Sequence, residues 1–326
     1  MSTVTFADIE AAAARIEGLA VKTPLLESAA LNAEVGGRVL IKPETLQLAG
    51  AFKFRGAMNR IAQLTDAERE RGVVACSSGN HAQGVALAAR MVGAPAVIVM
   101  PADAPAMKVA NTRGDGAEVV HYDRYSEDRE AITQAIAAER GMTIVWPFDD
   151  VHIIAGQGTA GLELVRQAEA LGARLDLVMM PVGGGGLAAG ISTAVRKLAP
   201  RSAILGVEPE AFDDTRRSLE SGARETIDPA ARSICDALQS PSPGAITFPI
   251  NRANLDGIAT VSDAEVAEAI RFAYASLKLV VEPGGAVALA ALLSGKVDIE
   301  GQTAAIVLSG GNIDPALFAS ILAGDL

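Results

Sequence analysis

The sequence is short of several things at once. It has two cysteines in 326 residues, Cys76 and Cys235, far apart and forming no CxxC pair. That excludes a disulfide framework and a thiolate zinc site, and it suits a reducing cytoplasm. Histidine is nearly as scarce: His81, His121 and His152 fall at no metal-ligand spacing. Basic residues are outnumbered, 28 Lys and Arg against 39 Asp and Glu, for a formal net charge of -11. A phosphate backbone requires clustered cations, so no nucleic-acid partner is expected. Half of the residues are apolar. Even so, no run reaches the about eighteen apolar residues of a membrane span, and no membrane partner is expected. The opening, MSTVTFADIEAAAARIEG, lacks a basic stretch followed by an apolar one and reads as a first helix, not a signal peptide. There is no internal repeat and no low-complexity tract.

What is present is a rhythm. GVVAC, PAVIVMP, AEVVHY, TIVWP, LDLVMMPV, AILGVE and TAAIVLSGG are short apolar runs, most of them followed by a longer helical pattern. Buried strands alternating with helices predict an α/β fold with parallel sheets covered on both faces. In such sheets ligands gather beyond the carboxyl ends of strands. Four unusual segments occupy those ends: SSGNH, GGGG, EPEAFDD and SGGN. One crevice is expected to receive all four. Cys235 to Gly257, rich in Pro, Asn and Gly, reads as a long functional loop.

PVGGGGLAAG runs from a strand through four glycines into a helix. Glycines there let backbone N–H groups turn toward an anion at the helix start, so a phosphate is the natural guest. The spacing also satisfies GxGxxA, and Glu208 ends the following strand, so the segment alone suits NAD nearly as well. GAFKFRGA sets Lys53 between Phe52 and Phe54. Apolar neighbours lower an amine's pKa, as a Schiff-base enzyme requires and a hydride-transfer enzyme does not; a snorkelling helix lysine is the plainer explanation. SSGNHAQG opens a helix with more polar groups than one N-cap uses, and such a nest holds a carboxylate. Ser309 in LSGGN sits where a hydroxyl could face a ring nitrogen, or simply begins a turn. EPEAFDD concentrates Glu208, Glu210, Asp213 and Asp214, a density suited to a hard cation. Glu282 precedes PGGAVALAALL, which either closes the crevice over a ring or is a plain helix start.

Together GAFKFRGA, SSGNHAQG, PVGGGGL, VEPEAFDD, KLVVEPGGA and LSGGN resemble, in order and over nearly the whole chain, the pyridoxal-phosphate enzymes of the threonine/serine dehydratase and serine racemase family. The resemblance implies the tryptophan-synthase-β type of fold (fold type II), with two doubly wound α/β domains. Residues 1–47 and 152–326 would form the large cofactor-binding domain and 48–151 the small substrate-side domain. It implies that Lys53 carries pyridoxal 5'-phosphate as a Schiff base, with Phe52 beside the ring and Asn80 at its 3'-hydroxyl. Gly183, Gly184, Gly185, Gly186 and Leu187 would hold the phosphate, Ser309 would meet the ring nitrogen, and Glu282 would lie near the ring. Ser78 would stand opposite Lys53 as a second catalytic group, with Ser77, Ser78, Gly79, Asn80 and His81 around the substrate. Glu208, Asp214 and the Phe212 carbonyl match the ligands of a divalent cation, Mg²⁺ or Ca²⁺. A homodimer is implied as well, and cysteine usage makes a cytoplasmic location the expectation.

The implied reaction is β-elimination: Lys53 takes the α-proton, the β-hydroxyl leaves, and hydrolysis gives ammonia with 2-oxobutyrate from L-threonine or pyruvate from L-serine. Serine racemisation, using Ser78 opposite Lys53, is one alternative, although WPFDDVHIIAGQGT looks more like the dehydratases. Dehydration of 3-hydroxyaspartate is another, with Arg129 in SEDRE as candidate for the extra carboxylate unless it is a helix-surface residue. An NAD-linked oxidoreductase and a non-catalytic metabolite-binding protein stand further off. Two positions depart from the family pattern: Ala237 follows Asp236 where Gly is usual, and Gly284 stands where Ser, Thr or Ala is usual. No regulatory extension follows SGGN, so feedback inhibition by isoleucine is not expected.

Overall fold

The computed structural model describes residues 3–104, 106–123 and 125–325. Its strands are β1 (Leu26–Glu27), β2 (Arg38–Pro43), β3 (Val73–Cys76), β4 (Ala96–Pro101), β5 (Glu118–Tyr122), β6 (Thr143–Ile144), β7 (Leu177–Pro181), β8 (Ala203–Pro209), β9 (Gly257–Val261) and β10 (Thr303–Leu308). They form a six-stranded sheet in the order β1-β2-β10-β7-β8-β9 and a four-stranded sheet in the order β5-β4-β3-β6. Every pairing is parallel except β1 with β2. The two parallel α/β sheets agree with the alternation in the sequence. Strands β3, β4 and β7 are buried throughout, which is why they read as continuous apolar runs.

Three strands gave no clear signal. β1 is two residues long, β9 lies at the sheet edge, and β2 carries a lysine in its middle. Lys42 is fully buried and tolerated because its ammonium donates to Thr23 O at 2.7 Å, Glu163 Oε2 at 2.7 Å and Gln167 Oε1 at 2.9 Å. TIVWP shortens to the two residues of β6. The stretch read as one long loop contains a helix, Thr247–Asn254, whose Pro249 lies in the first turn, where a missing N–H costs no intrahelical bond.

The Lys53–Ile61 helix leads from the six-stranded into the four-stranded sheet and packs on the long Val151–Ala170 helix. A Cβ on Gly156 would lie 2.6 Å from the Gly56 Cα, so the two backbones approach to a distance that only glycine permits. Below this contact Arg55, wholly buried, donates to Glu44 and Glu163, while Lys42 shares Glu163. Two cations and two carboxylates thus balance beneath the lysine helix. Breaking such a set from one side strands a buried charge, at a cost of about 3–5 kcal/mol.

Candidate active site

A cavity of about 540 Å³ opens between the carboxyl ends of the two sheets. That volume suits a cofactor together with a small substrate. Lys53 and Phe52 line it at the start of their helix, Ser77, Ser78, Gly79, Asn80 and His81 beyond β3, Gly183 to Leu187 beyond β7, and Ser309 beyond β10. Glu282 enters from the start of the Pro283–Leu293 helix.

The Lys53 ammonium donates to Pro147 O at 2.6 Å and lies 5.2 Å from the centre of the Phe52 ring. Burial lowers its pKa from 10.5 to about 8, against the opposing attraction of Glu282. Such an amine is far closer to its nucleophilic, neutral form than a surface lysine. Glu282 moves the other way, up to about 7, chiefly through burial and then repulsion from Asp236. Asn80 Nδ2 donates to Glu282 Oε1 at 2.5 Å and its Oδ1 accepts from Asn312 Nδ2 at 2.8 Å, so the amide's orientation is fixed. His81 Nε2 meets Val145 O at 2.8 Å, and burial, then Lys53, push its pKa down to about 3. It is neutral at physiological pH and brings no charge to a carboxylate.

The glycine run owes its composition to crowding. A Cβ on Gly184 would sit 2.5 Å from the Phe148 ring, and one on Gly185, where φ is +91°, would sit 2.5 Å from Asn251 Nδ2. Thr247 Oγ1 donates to Gly184 O at 2.7 Å and Asn251 Nδ2 to Gly185 O at 3.2 Å. Phe148, Thr247, Asn251 and Asn312 were not read from the sequence as site residues. Asn312 has a signal as the last letter of SGGN, Thr247 and Asn251 fall within the stretch read as a functional loop, and Phe148 within WPFDDVHIIAGQGT, but none is singled out. The two departures from the family pattern meet each other: a Cβ on Gly284 would fall 3.1 Å from the Ala237 Cβ. The methyl present at one position occupies space that is usually filled from the other.

The crevice receives three of the four strand-end segments, not all four. Glu208, Phe212 and Asp214 lie outside the cavity, because β8 is displaced one strand toward the sheet edge from β7. Glu208 accepts backbone N–H bonds from Thr215 and Arg216, both at 3.0 Å, and does not face the glycine run as a ribose-binding acid would. Both Asp214 carboxylate oxygens are buried without a hydrogen-bond partner. Burial raises Asp214 to about 7, while burial and then Asp214 raise Glu208 to about 8. Among the described residues no group of three or more His, Cys, Asp or Glu side chains gathers for a metal.

A desolvated lysine, a glycine cradle with helix-start N–H groups and a polar rim fit pyridoxal phosphate. The model of the family described as pyridoxal-phosphate dependent enzyme matches residues 16–310. The chain is 48% identical, over 99% of its length and 100% of the relative, to a Pseudomonas sp protein named L-threo-3-hydroxyaspartate ammonia-lyase. It is 43% identical to a Schizosaccharomyces pombe serine racemase, covering 98% of this chain and 97% of that one. A solved structure, the threonine deaminase of T.th., superimposes with a TM-score of 0.90 at 46% identity, covering 95% of this chain and 99% of the other. The family match overturns the NAD-linked oxidoreductase. The chain belongs to the pyridoxal-phosphate dependent enzymes, in their ammonia-lyase and racemase branch, as a lyase of the threonine/serine dehydratase type.

Proposed function

We propose that this enzyme releases ammonia, through loss of water and then hydrolysis, from a β-hydroxy amino acid that carries a second carboxylate, of the L-threo-3-hydroxyaspartate class. The observation that carries the choice is Arg129. It begins the Arg129–Arg140 helix, lines the cavity, and its guanidinium has no hydrogen bond or ion pair among the described residues. An unengaged planar fork at a substrate cavity suits a bidentate carboxylate. The name borne by the Pseudomonas relative supports the same class. L-Threonine and L-serine, placed first by the sequence, are the second reading, favoured by the likeness to threonine deaminase.

Lys53 Nζ is the group that would hold the cofactor's aldehyde carbon, and the backbone N–H groups of Gly183 to Leu187 would hold its phosphate. Bound pyridoxal phosphate supplies a conjugated system that spreads the negative charge left when the α-proton departs. Lys53 Nζ takes that proton, helped by a burial that makes its neutral form accessible. Ser309 would face the ring nitrogen and Asn80 the ring hydroxyl. Ser77 to Gly79 present hydroxyl and N–H donors to the α-carboxylate, and Ser78 would stand across from Lys53. Loss of the β-hydroxyl as water, followed by hydrolysis, leaves a 2-oxo acid and ammonia; the dicarboxylic substrate gives oxaloacetate.

A divalent cation, Mg²⁺ or Ca²⁺, belongs to the same proposal, held by Glu208, Asp214 and the Phe212 carbonyl with water completing the shell. Its support is the buried Asp214 carboxylate with neither oxygen partnered. A cytoplasmic homodimer completes the picture, supported by the family likeness and by two separate, reduced cysteines; sedimentation of the holoenzyme checks the dimer.

The deciding experiment is a substrate panel on the holoenzyme, with chiral analysis of remaining substrate. Oxaloacetate from L-threo-3-hydroxyaspartate is expected. Arg129→Ala should raise KM for that substrate by on the order of tenfold to a hundredfold, as loss of a charged hydrogen-bonding pair implies. Its KM for L-threonine should hold within about twofold, since that substrate places no charge there. Equal losses on both substrates, or no oxaloacetate from the parent enzyme, would remove the reading.

A further inference from the structure

Pro147, Phe148 and Asp149 form one short segment between β6 and the Val151–Ala170 helix, and all three line the cavity. Each touches a different part of it. The Pro147 carbonyl accepts from the Lys53 ammonium at 2.6 Å. The Phe148 ring fills the space beside Gly184. The Asp149 carboxylate accepts three successive backbone N–H groups across the site, from Ala245 at 2.9 Å, Ile246 at 2.8 Å and Thr247 at 3.3 Å.

Those three N–H groups open the Thr247–Asn254 helix, whose side chains bind the glycine run from behind. Thr247 Oγ1 donates to the Gly184 carbonyl and Asn251 Nδ2 to the Gly185 carbonyl. In a trans peptide the carbonyl of one residue and the N–H of the next point in opposite directions. Tying the Gly184 and Gly185 carbonyls backward therefore turns the N–H groups of Gly185 and Gly186 to the opposite side. A pair of peptide planes held in this way is an anion nest fixed before its ligand arrives. Gly244 lies in the same contact: a Cβ there would overlap Asp149 Oδ1, so residue 244 has no room for a side chain while the carboxylate keeps its place.

We propose that Asp149 is a positioning residue for the cofactor's phosphate, acting through the Thr247–Asn254 helix on the peptide planes of Gly184 and Gly185. It rests on the assignment of the glycine run to the phosphate. Asp149 need not touch the phosphate itself; it anchors the helix whose side chains aim the loop. The same segment holds the Lys53 amine by another residue, so the two ends of the cofactor are spaced by three consecutive residues of chain.

The test compares pyridoxal 5'-phosphate with pyridoxal, which lacks the phosphate, for binding to the full chain stripped of cofactor, followed through the visible band formed at Lys53. Asp149→Ala should weaken the phosphorylated form by about tenfold, the scale of a lost capping carboxylate, and leave pyridoxal nearly unchanged. Asp149→Asn keeps an acceptor and should restore most of the loss. Asp150→Ala is the control. Asp150 caps the neighbouring helix through His152 N and Ile153 N and touches no part of the glycine run. Its variant should lose stability without discriminating between the ligands. Equal weakening of both ligands by Asp149→Ala, or none, overturns the proposal. Should Asp149→Ala fail to fold, Thr247→Val must show the same selectivity, and its absence is equally fatal. If the parent protein binds pyridoxal as tightly as its phosphate, the assignment of the glycine run falls, and that outcome is distinct from the others.

Discussion

The burial of Lys53 has a consequence measurable without any substrate. In the apoprotein its pKa stands at about 8 rather than 10.5, so the folded state disfavours the charged amine by about 3 kcal/mol. Below about pH 8 both folded and unfolded chains hold the proton, and this cost is fully present. Between about pH 8 and 10.5 the unfolded chain keeps a proton that the folded one has released, so stability contributed at this site rises with pH. Glu282, at about 7, completes most of its ionisation by the start of that window. Lys53→Met fills similar space and cannot titrate. The stability difference between wild type and Lys53→Met apoproteins should therefore move in favour of wild type by roughly 2 kcal/mol from pH 7.5 to pH 10. Taking the difference cancels every titrating group not coupled to Lys53; Glu282 is coupled, and loss of the lysine raises its pKa further, which moves the difference in the same direction. The constant offset from the lost bond to Pro147 does not alter the slope. Urea unfolding followed by circular dichroism at several pH values gives the number. A flat difference would mean that the amine is solvated, and the account of its reactivity would fail with it.

Two further outcomes follow from the packing and from the acidic site. Gly156→Ala drives a methyl to 2.6 Å from the Gly56 Cα and 2.7 Å from the Arg55 carbonyl, both backbone atoms that cannot rotate away. The helices must part, at a cost of about 1–3 kcal/mol read from the urea midpoint, with cofactor affinity falling because Lys53 rides on one of them. Removing a divalent cation with a chelator should lower the unfolding temperature by several degrees, since a ligand at about a hundred times its Kd contributes about 2.7 kcal/mol. Asp214→Asn should abolish the response to chelator; a response that persists in that variant puts the cation elsewhere.

The sequence disclosed what depends on local composition. Runs such as PAVIVMP announce buried parallel strands, and SSGNH, GGGG and SGGN announce unusual backbone at strand ends. Arrangements that depend on distant partners stayed hidden. Lys42 makes β2 look unlike a buried strand until Glu163, 121 residues away, is brought beside it. Asp149, Thr247 and Asn251 carry residue types found in any loop, and nothing local marks them as supports for a loop at 184–185. The acidic loop misled for a simpler reason. Strand direction places it on the same edge of the sheet, but strand order decides its distance. β7 and β10 are neighbours and end at the cavity, whereas β8 lies one strand further, about 4.8 Å away before side chains are counted.

The helix that carries Lys53 is a wall shared by both sheets, and glycine fixes its distance on either side. Gly156 sets the approach of the Val151–Ala170 helix; Gly84 sets that of the Asn80–Val92 helix, where a Cβ would stand 3.2 Å from the Phe54 nitrogen. The Lys53–Ile61 helix is thereby held against the Val151–Ala170 and Asn80–Val92 helices by backbone contacts that tolerate little change. The groups that could reach a substituent on the β-carbon come from elsewhere. Arg129 begins a helix on the outer face of the four-stranded sheet, and Lys108 crosses the cavity mouth to Asp236 at 2.8 Å. Both are long side chains on peripheral elements, free to vary without disturbing Lys53. On the proposed reading, specificity for the β-substituent shifts by single replacements in these helices while Lys53 keeps its place, and an exchange at Arg129 should redirect the enzyme more cheaply than any exchange among the glycines.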